Sequence, residues 1–258
     1  MGKNALMIID PQNDFCDQRG SLYVEGAAAD MSRLARRIKR GAEAYSDVFV
    51  SLDSHDSLAI FHPKFWVDGS GVNPRPFTAI SPEDYASGAW RAASRDNEPH
   101  AEKLFRVYSE KKIDALMIWP EHCIVSTWGQ EVADSVREAL RAWRETSGKA
   151  VRFVFKGENP YTEQFSVFEG VDGSWGDTAF NELLFGRLAE CDSVTFAGEA
   201  LSHCVEASIA SYLDRLEMDG REQEIFLIAD CSSPVSGFER ALSEGRLASR
   251  GVRLVQSE

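Results

Sequence analysis

The sequence predicts an α/β protein built as three layers, α/β/α, around a mostly parallel central sheet. Short apolar runs recur along the chain, and amphipathic stretches of helical period separate them. Titratable side chains gather just after the runs, where an open parallel sheet binds its ligands. The runs at 5–9, 48–52, 115–119, 151–155, 193–197, 224–228 and 251–255 are the candidate strands. Several are β-branched or aromatic throughout, as strands covered on both faces should be. The stretch 27–45 places Ala28, Met31, Leu34, Ala35 and Ile38 at helical spacing, and 130–144 does the same with Val132, Val136, Leu140 and Trp143. Stretches 178–190, 204–218 and 238–249 complete the helical series.

One segment breaks the alternation. Residues 62–97 carry Pro63, Pro74, Pro76 and Pro82 with Phe65, Trp66, Phe77, Tyr85 and Trp90, and Pro99 and Pro120 lie nearby. Proline at this density excludes a regular helix or central strand, while the aromatics make the segment too apolar to be disordered. The expectation is one domain over 1–258 with an ordered insertion at about 62–112, serving as a lid, an interface arm or a surface excursion with its own small core.

Composition narrows the function. The chain has 258 residues, 43% of them hydrophobic, and 28 Lys+Arg against 41 Asp+Glu leave a net charge of −13. That balance argues against nucleic acid and against an anionic membrane as partners, since both recruit basic residues. The cysteines Cys16, Cys123, Cys191, Cys204 and Cys231 form no CxxC pair, so reduced thiols in the cytoplasm are the plain reading. The apolar run 5–9 stops at Asp10-Pro11, too short for a signal-peptide core or a membrane span.

The strand ends carry the chemistry. Cys204 follows the run 193–197 through small residues, where a helix N-terminus would favour a thiolate and offer N–H groups to an oxyanion. Asp10 and Lys156 end other strands of the same sheet, so a carboxylate could take the thiol proton and an ammonium could stabilise the pair. Each has a plainer reading, as a buried inert thiol, a turn former and a solvated strand end. Asp53-x-His55, joined by His122 from the next strand end, makes a carboxylate–imidazole–imidazole set suited to a divalent first-row metal. His203, beside Cys204, points elsewhere on a helix and reads as structural or as a pocket wall.

These residues carry a resemblance. Asp10-Pro11-Gln12-Asn13-Asp14-Phe15 with Gly20-Ser21-Leu22 resembles the N-terminal motif of nicotinamidases in the isochorismatase-like cysteine hydrolase superfamily. Asp53-Ser54-His55 and Trp119-Pro120-Glu121-His122-Cys123 are similar to that family's metal-binding motifs, Lys156-Gly157 to its lysine segment, and Gly198-x-Ala200-x-x-x-Cys204-Val205 to its nucleophile motif. The resemblance spans nearly the whole chain in the right order. It implies the isochorismatase-like hydrolase fold, an Asp10–Lys156–Cys204 triad and one divalent metal ion on Asp53, His55 and His122, with zinc ahead of iron or manganese. It also implies a cis bond before Ala200, an oxyanion hole from the N–H groups of Ala200 and Cys204, and aromatic walls at Phe15 and Trp119. The family often adds a ligand soon after its D-x-H, for which His62 is the nearest candidate. The interval between His55 and His122 exceeds the family's usual spacing, and the excess is the insertion.

The expected activity is hydrolysis of a small carboxamide, nicotinamide first. A related hydrolase of another amide or ester is the alternative, and a non-catalytic metabolite-binding protein is the more distant one. The substrate is the one expected partner, and a homo-oligomer formed through the insertion stays open.

Overall fold

The computed structural model describes residues 2–41 and 43–258. The chain begins with β1 (Asn4–Ile9), the short α1 (Asn13–Cys16), α2 (Ala27–Arg40) and β2 (Asp47–Asp53). Next come β3 (Trp66–Val67), β4 (Ala79–Ile80), α3 (Pro82–Ala86), β5 (Arg91–Ala92), α4 (Glu98–Lys111) and β6 (Leu116–Met117). The remainder is α5 (Asp134–Ser147), β7 (Arg152–Lys156), α6 (Glu182–Ala189), β8 (Ser193–Gly198), α7 (Glu206–Met218), β9 (Glu224–Ile228), α8 (Arg240–Ser249) and β10 (Arg253–Val255).

Six strands form one parallel sheet in the order β10-β9-β8-β1-β2-β7. The chain thus enters at the centre, builds outward through β2 and β7, then crosses back to build β8, β9 and β10 on the other side. The reversal between β1 and β8 opens a crevice at their carboxyl ends, the usual ligand position in such sheets.

Alternate side chains of the central strands face opposite layers. Leu6, Ile8, Val48 and Val50 pack with Met31, Leu34 and Ile38 of α2 and Val136, Leu140 and Trp143 of α5. Met7, Phe49 and Phe196 pack against Leu184 of α6 and Ile209 and Tyr212 of α7. Each fully buried aliphatic side chain contributes about 1.5–3 kcal/mol, so Leu34→Ala, which also opens a cavity, is expected to cost about 2–5 kcal/mol. Helix α2 stops short of the expected 45 because Gly41 follows Arg40 and returns its N–H to Arg37 O.

The expected strand at 115–119 departs from the sequence reading. Only Leu116 and Met117 are extended, and they pair antiparallel with β4 outside the main sheet. An apolar run of this length takes whichever partner lies near, and here the partner comes from the insertion. That segment buries its own core, with Phe65, Trp66, Ile80, Leu104, Phe105 and Tyr108 packed together. The Trp66 indole N–H donates to Ile60 O at 2.5 Å. Helix α4, also unexpected, turns Ala101, Leu104, Phe105 and Tyr108 into this core. Among the described residues no helix is long and apolar enough to cross a membrane.

Candidate active site

Asp10 follows β1, Asp53 ends β2, Lys156 ends β7, and Cys204 follows β8 within a wide helical turn, Leu201–Val205, that leads into α7. Parallel register brings these ends to one edge of the sheet, with Asp53 directly opposite Lys156 and Ile9 opposite Gly198. Asp10, Asp53, Lys156 and Cys204 are all buried. Lys156 Nζ lies 2.9 Å from Asp10 Oδ2 and 3.5 Å from Cys204 Sγ, and the Cys204 sulfur lies within 4.8 Å of an Asp10 carboxylate oxygen. The second Asp10 oxygen accepts from Ser51 Oγ at 2.6 Å, while the Asp10 N–H donates to the same hydroxyl at 3.1 Å. Ser51 therefore fixes the carboxylate, a role no motif announced.

Electrostatics sets the resting protonation. Burial pushes the Cys204 thiol well above its ordinary value, against the pull of Lys156, so the cysteine rests as S–H. Desolvation in the closed site thus works against the helix-terminus dipole that would favour a thiolate. Burial likewise raises Asp10, partly offset by Lys156, and makes it a stronger base than a solvated carboxylate. Burial alone would lower Lys156, but the charges of Asp10 and Asp53 drive it well above the usual lysine value. Burial would raise Asp53, yet Lys156 and His55 hold it below the ordinary carboxylate range.

The N-terminal motif braces this edge. Gln12 donates Nε2 to Asp53 O at 2.7 Å and accepts the Asp53 N–H at 2.7 Å. Asp14 accepts the N–H groups of Cys123 at 2.7 Å and Ser21 at 2.8 Å. Segment 122–125 runs beside His55, whose N–H donates to Cys123 O at 3.0 Å, while the Val125 N–H donates to His55 O at 3.1 Å. His122 thus reaches the site on a loop rather than from the end of a sheet strand.

Asp53, His55 and His122 offer ligand atoms within 4.8 Å of one another. Each imidazole is oriented through Nδ1: His55 to Gly157 O at 3.0 Å, His122 to Pro120 O at 2.8 Å and His62 to Asp56 O at 3.0 Å. A Nδ1–H donated to a carbonyl leaves the Nε2 lone pair free for a metal. His62 Nε2 is buried without a partner among the described residues, and its ring centre lies 5.8 Å from that of His55 and 5.5 Å from that of His122. Burial and the neighbouring imidazoles lower both His62 and His122 to about 3, so both stay neutral. Buried neutral imidazoles beside one carboxylate, with an orphaned Nε2, fit a divalent cation.

A cleft opens above Cys204 and this set. Phe15 and Trp119 wall it, joined by Phe61, Phe165 and Val235. Glu163 also lines it; burial pushes this carboxyl up to about 7, and it accepts from Tyr108 Oη of the insertion and from Trp119 Nε1 at 3.2 Å. Sequence reasoning missed Glu163 because it lies in irregular backbone, beyond any strand end. The Glu199–Ala200 peptide is cis. The amides of Leu201, His203 and Val205 are engaged with Ser233 O, Ala200 O and Ala200 O, while among the described residues the Ala200 N–H has no protein acceptor.

No protein-family model matches the chain. The chain is 23% identical over 207 residues to the nicotinamidase of Saccharomyces cerevisiae, covering 80% of each. It is 29% identical over 201 residues to the nicotinamidase/pyrazinamidase of Mycobacterium tuberculosis, covering 78% of this chain and 74% of that one. A solved yeast nicotinamidase superposes with TM-score 0.69 at 19% identity, covering 98% of this chain and 99% of that one. The pyrazinamidase of Pyrococcus horikoshii in complex with zinc superposes with TM-score 0.57 at 18% identity, covering 98% and 99%. Over most of its length the chain is similar in sequence to nicotinamidases, and it shares their fold, which together support its assignment to the nicotinamidase/isochorismatase-like hydrolase superfamily.

Proposed function

We propose that the protein is a cysteine amidohydrolase that converts nicotinamide to nicotinate and ammonia, with Asp10, Lys156 and Cys204 as its catalytic residues. The observation that carries this reading is the position of Lys156, one buried ammonium within reach of both Asp10 and Cys204. The sequence relatives supply the substrate, being nicotinamidases themselves.

Asp10 takes the Cys204 proton as the sulfur attacks the amide carbon, and Lys156 stabilises the charge of the pair. The carbonyl becomes an oxyanion that the N–H groups of Ala200 and Cys204 receive. Collapse breaks the C–N bond, Asp10 returns its proton to the departing nitrogen, and ammonia leaves a thioester on Cys204. Asp10 then takes a proton from water as it attacks the thioester. The C–S bond breaks, the Asp10 proton returns to the sulfur, and nicotinic acid departs, releasing its remaining carboxyl proton to water as nicotinate. Phe15 and Trp119 hold the flat ring between them. A divalent cation on Asp53, His55 and His122, with His62 as a further donor, would supply Lewis acidity and an anchor for an electron-pair donor on the ring. A carboxylate with neutral imidazoles suits zinc best, with iron or manganese next. The five free, buried cysteines support a reducing, cytoplasmic setting.

A panel of small amides with ammonia detection tests the reading. Nicotinamide should be turned over, and benzamide, which lacks the ring nitrogen, should react far more slowly. Ammonia from aliphatic amides alone would reassign the substrate, and no ammonia from any amide would sink the amidohydrolase reading.

A further inference from the structure

Glu199 sits between β8 and the turn that carries Cys204, and its side chain is fully buried. Its Oε2 accepts the Ser233 N–H at 3.0 Å. Its Oε1 has no partner among the described residues, and the carboxyl of Asp30 on α2 accepts from the hydroxyl of the same Ser233. Asp30 is also buried, accepting from Ser233 Oγ at 2.5 Å and pairing with Arg33.

Two buried carboxyls gathered on one serine repel as anions, which favours a proton on one of them. Asp30 is the better supplied with donors. It has Ser233 and Arg33 as donors, and it stands in the first turn of a 14-residue helix, near the positive end of the dipole. Glu199 has a single protein donor, and burial with the charge of Asp30 pushes its carboxyl well above the usual range. A proton on Oε1, donated to Asp30, gives the orphaned atom its partner.

The pair ties down the backbone beside the proposed nucleophile. Leu201 N–H donates to Ser233 O at 2.8 Å, Ser232 Oγ to Gly198 O at 2.6 Å, and Glu199 N–H to Ile9 O at 2.8 Å. The Val235 N–H donates to Ser202 Oγ at 3.0 Å, and Val235 itself walls the cleft. Arg240 Nη2 reaches Ser233 Oγ at 3.2 Å from the far side. Gly26 lets α2 come this close, since a Cβ there would stand 2.7 Å from Ser233 Oγ.

We propose that Glu199 is a positioning residue: as a neutral acid donating to Asp30, it locks the Ala200 amide in place against α2 and segment 232–235. The proposal rests on the amidohydrolase reading for its catalytic consequence, because the Ala200 N–H is the proposed oxyanion donor. Misplacing such a donor costs about 100-fold in rate.

The test compares wild type, Glu199→Leu and Glu199→Gln in steady-state kinetics and in infrared spectra at neutral pH. Glu199→Leu should lower kcat about 100-fold with KM within about threefold, because ground-state binding belongs to the ring walls. Glu199→Gln keeps a donor for Asp30 and an acceptor for Ser233, and should restore kcat to within about threefold of wild type. The difference spectrum of wild type minus the glutamine variant should contain the carbonyl band of a buried protonated carboxylic acid, Glu163 cancelling because both proteins carry it. Should the leucine variant not fold, Asp30→Asn serves: its amide can donate to Glu199, which then ionises, and the band disappears. A folded leucine variant of unchanged kcat, a glutamine variant as slow as the leucine one, or a difference spectrum without the band would each overturn the proposal. A wild type that hydrolyses no carboxamide would instead sink the functional reading, while the infrared comparison still decides whether the pair shares a proton.

Discussion

Lys156 and Asp53 face each other in register on neighbouring strands, and their buried side chains close an ion pair at 2.5 Å. The same ammonium reaches Asp10, and the other Asp53 oxygen lies 3.3 Å from His55 Nε2. Asp53 therefore belongs to two assemblies, the proposed metal set and the proposed triad. Asp53→Asn should cost both: the metal is lost, kcat falls by at least about 100-fold even with metal in excess, and breaking the buried pair destabilises the fold by about 3–5 kcal/mol. His55→Ala should lose the metal and mainly raise KM. Elemental analysis beside steady-state kinetics distinguishes them, and identical kinetic defects in the two variants would refute the link through Lys156.

Cys204 is separated from the imidazole set by function rather than distance, since both line one cleft. Cys204→Ala removes the sulfur that would bond to the amide carbon and leaves Asp53, His55 and His122 untouched. Turnover should vanish while metal content and nicotinamide affinity stay within about threefold of wild type. Calorimetry and ammonia release check the two halves, and an active alanine variant would remove Cys204 from the mechanism.

Gly157 has a φ of 73°, and a Cβ there would stand 2.3 Å from His55 Cε1 and 2.7 Å from Nδ1. Its carbonyl is also the acceptor that orients His55. Gly157→Ala should push the ring off its position and weaken metal binding by about 10–100-fold, the usual effect of disturbing a ligand's orienting partner. It also carries a backbone cost of about 1–2 kcal/mol from the left-handed conformation. A zinc titration followed by thermal unfolding measures both, and wild-type affinity would show that His55 does not bind as its orientation suggests.

Much of this architecture was legible because period and position carry it. The runs around Ile8, Val50 and Phe196 read as strands buried on both faces, and strand ends on one sheet edge bring Asp10, Asp53, Lys156 and Cys204 together. The register that opposes Asp53 to Lys156 could not be read, since pairing partners are set by the whole sheet. Helix α4 was legible in principle: Ala101, Leu104, Phe105 and Tyr108 follow helical spacing, but the proline-rich segment before them masked it. His122 was placed correctly near His55 for an incomplete reason, because its segment is held by Asp14 and by backbone pairing with His55 rather than by a sheet strand. Glu163 and Ser51 left no signal, as neither period nor strand-end position marks them.

Glu163 gives the pH prediction. Burial raises its carboxyl from the ordinary 4.5 to about 7, while Tyr108 and Trp119 donate to it and pull the other way. Between those values the native state holds a proton that the unfolded chain has released, so ν_U is less than ν_N and stability falls as pH rises. The stability is fully present below about pH 4.5 and is lost by the time pH passes about 7, a difference of roughly 3 kcal/mol. Glu163→Gln removes this titration and keeps an acceptor for Tyr108 or Trp119. The variant's melting temperature should match or trail that of wild type at pH 5 and exceed it above pH 7.5, with the gap growing across that interval. Thermal unfolding of both proteins over the same pH series measures it. A constant gap would mean that Glu163 ionises near its ordinary value, and that Tyr108 and Trp119 are held by a carboxylate rather than by a carboxylic acid.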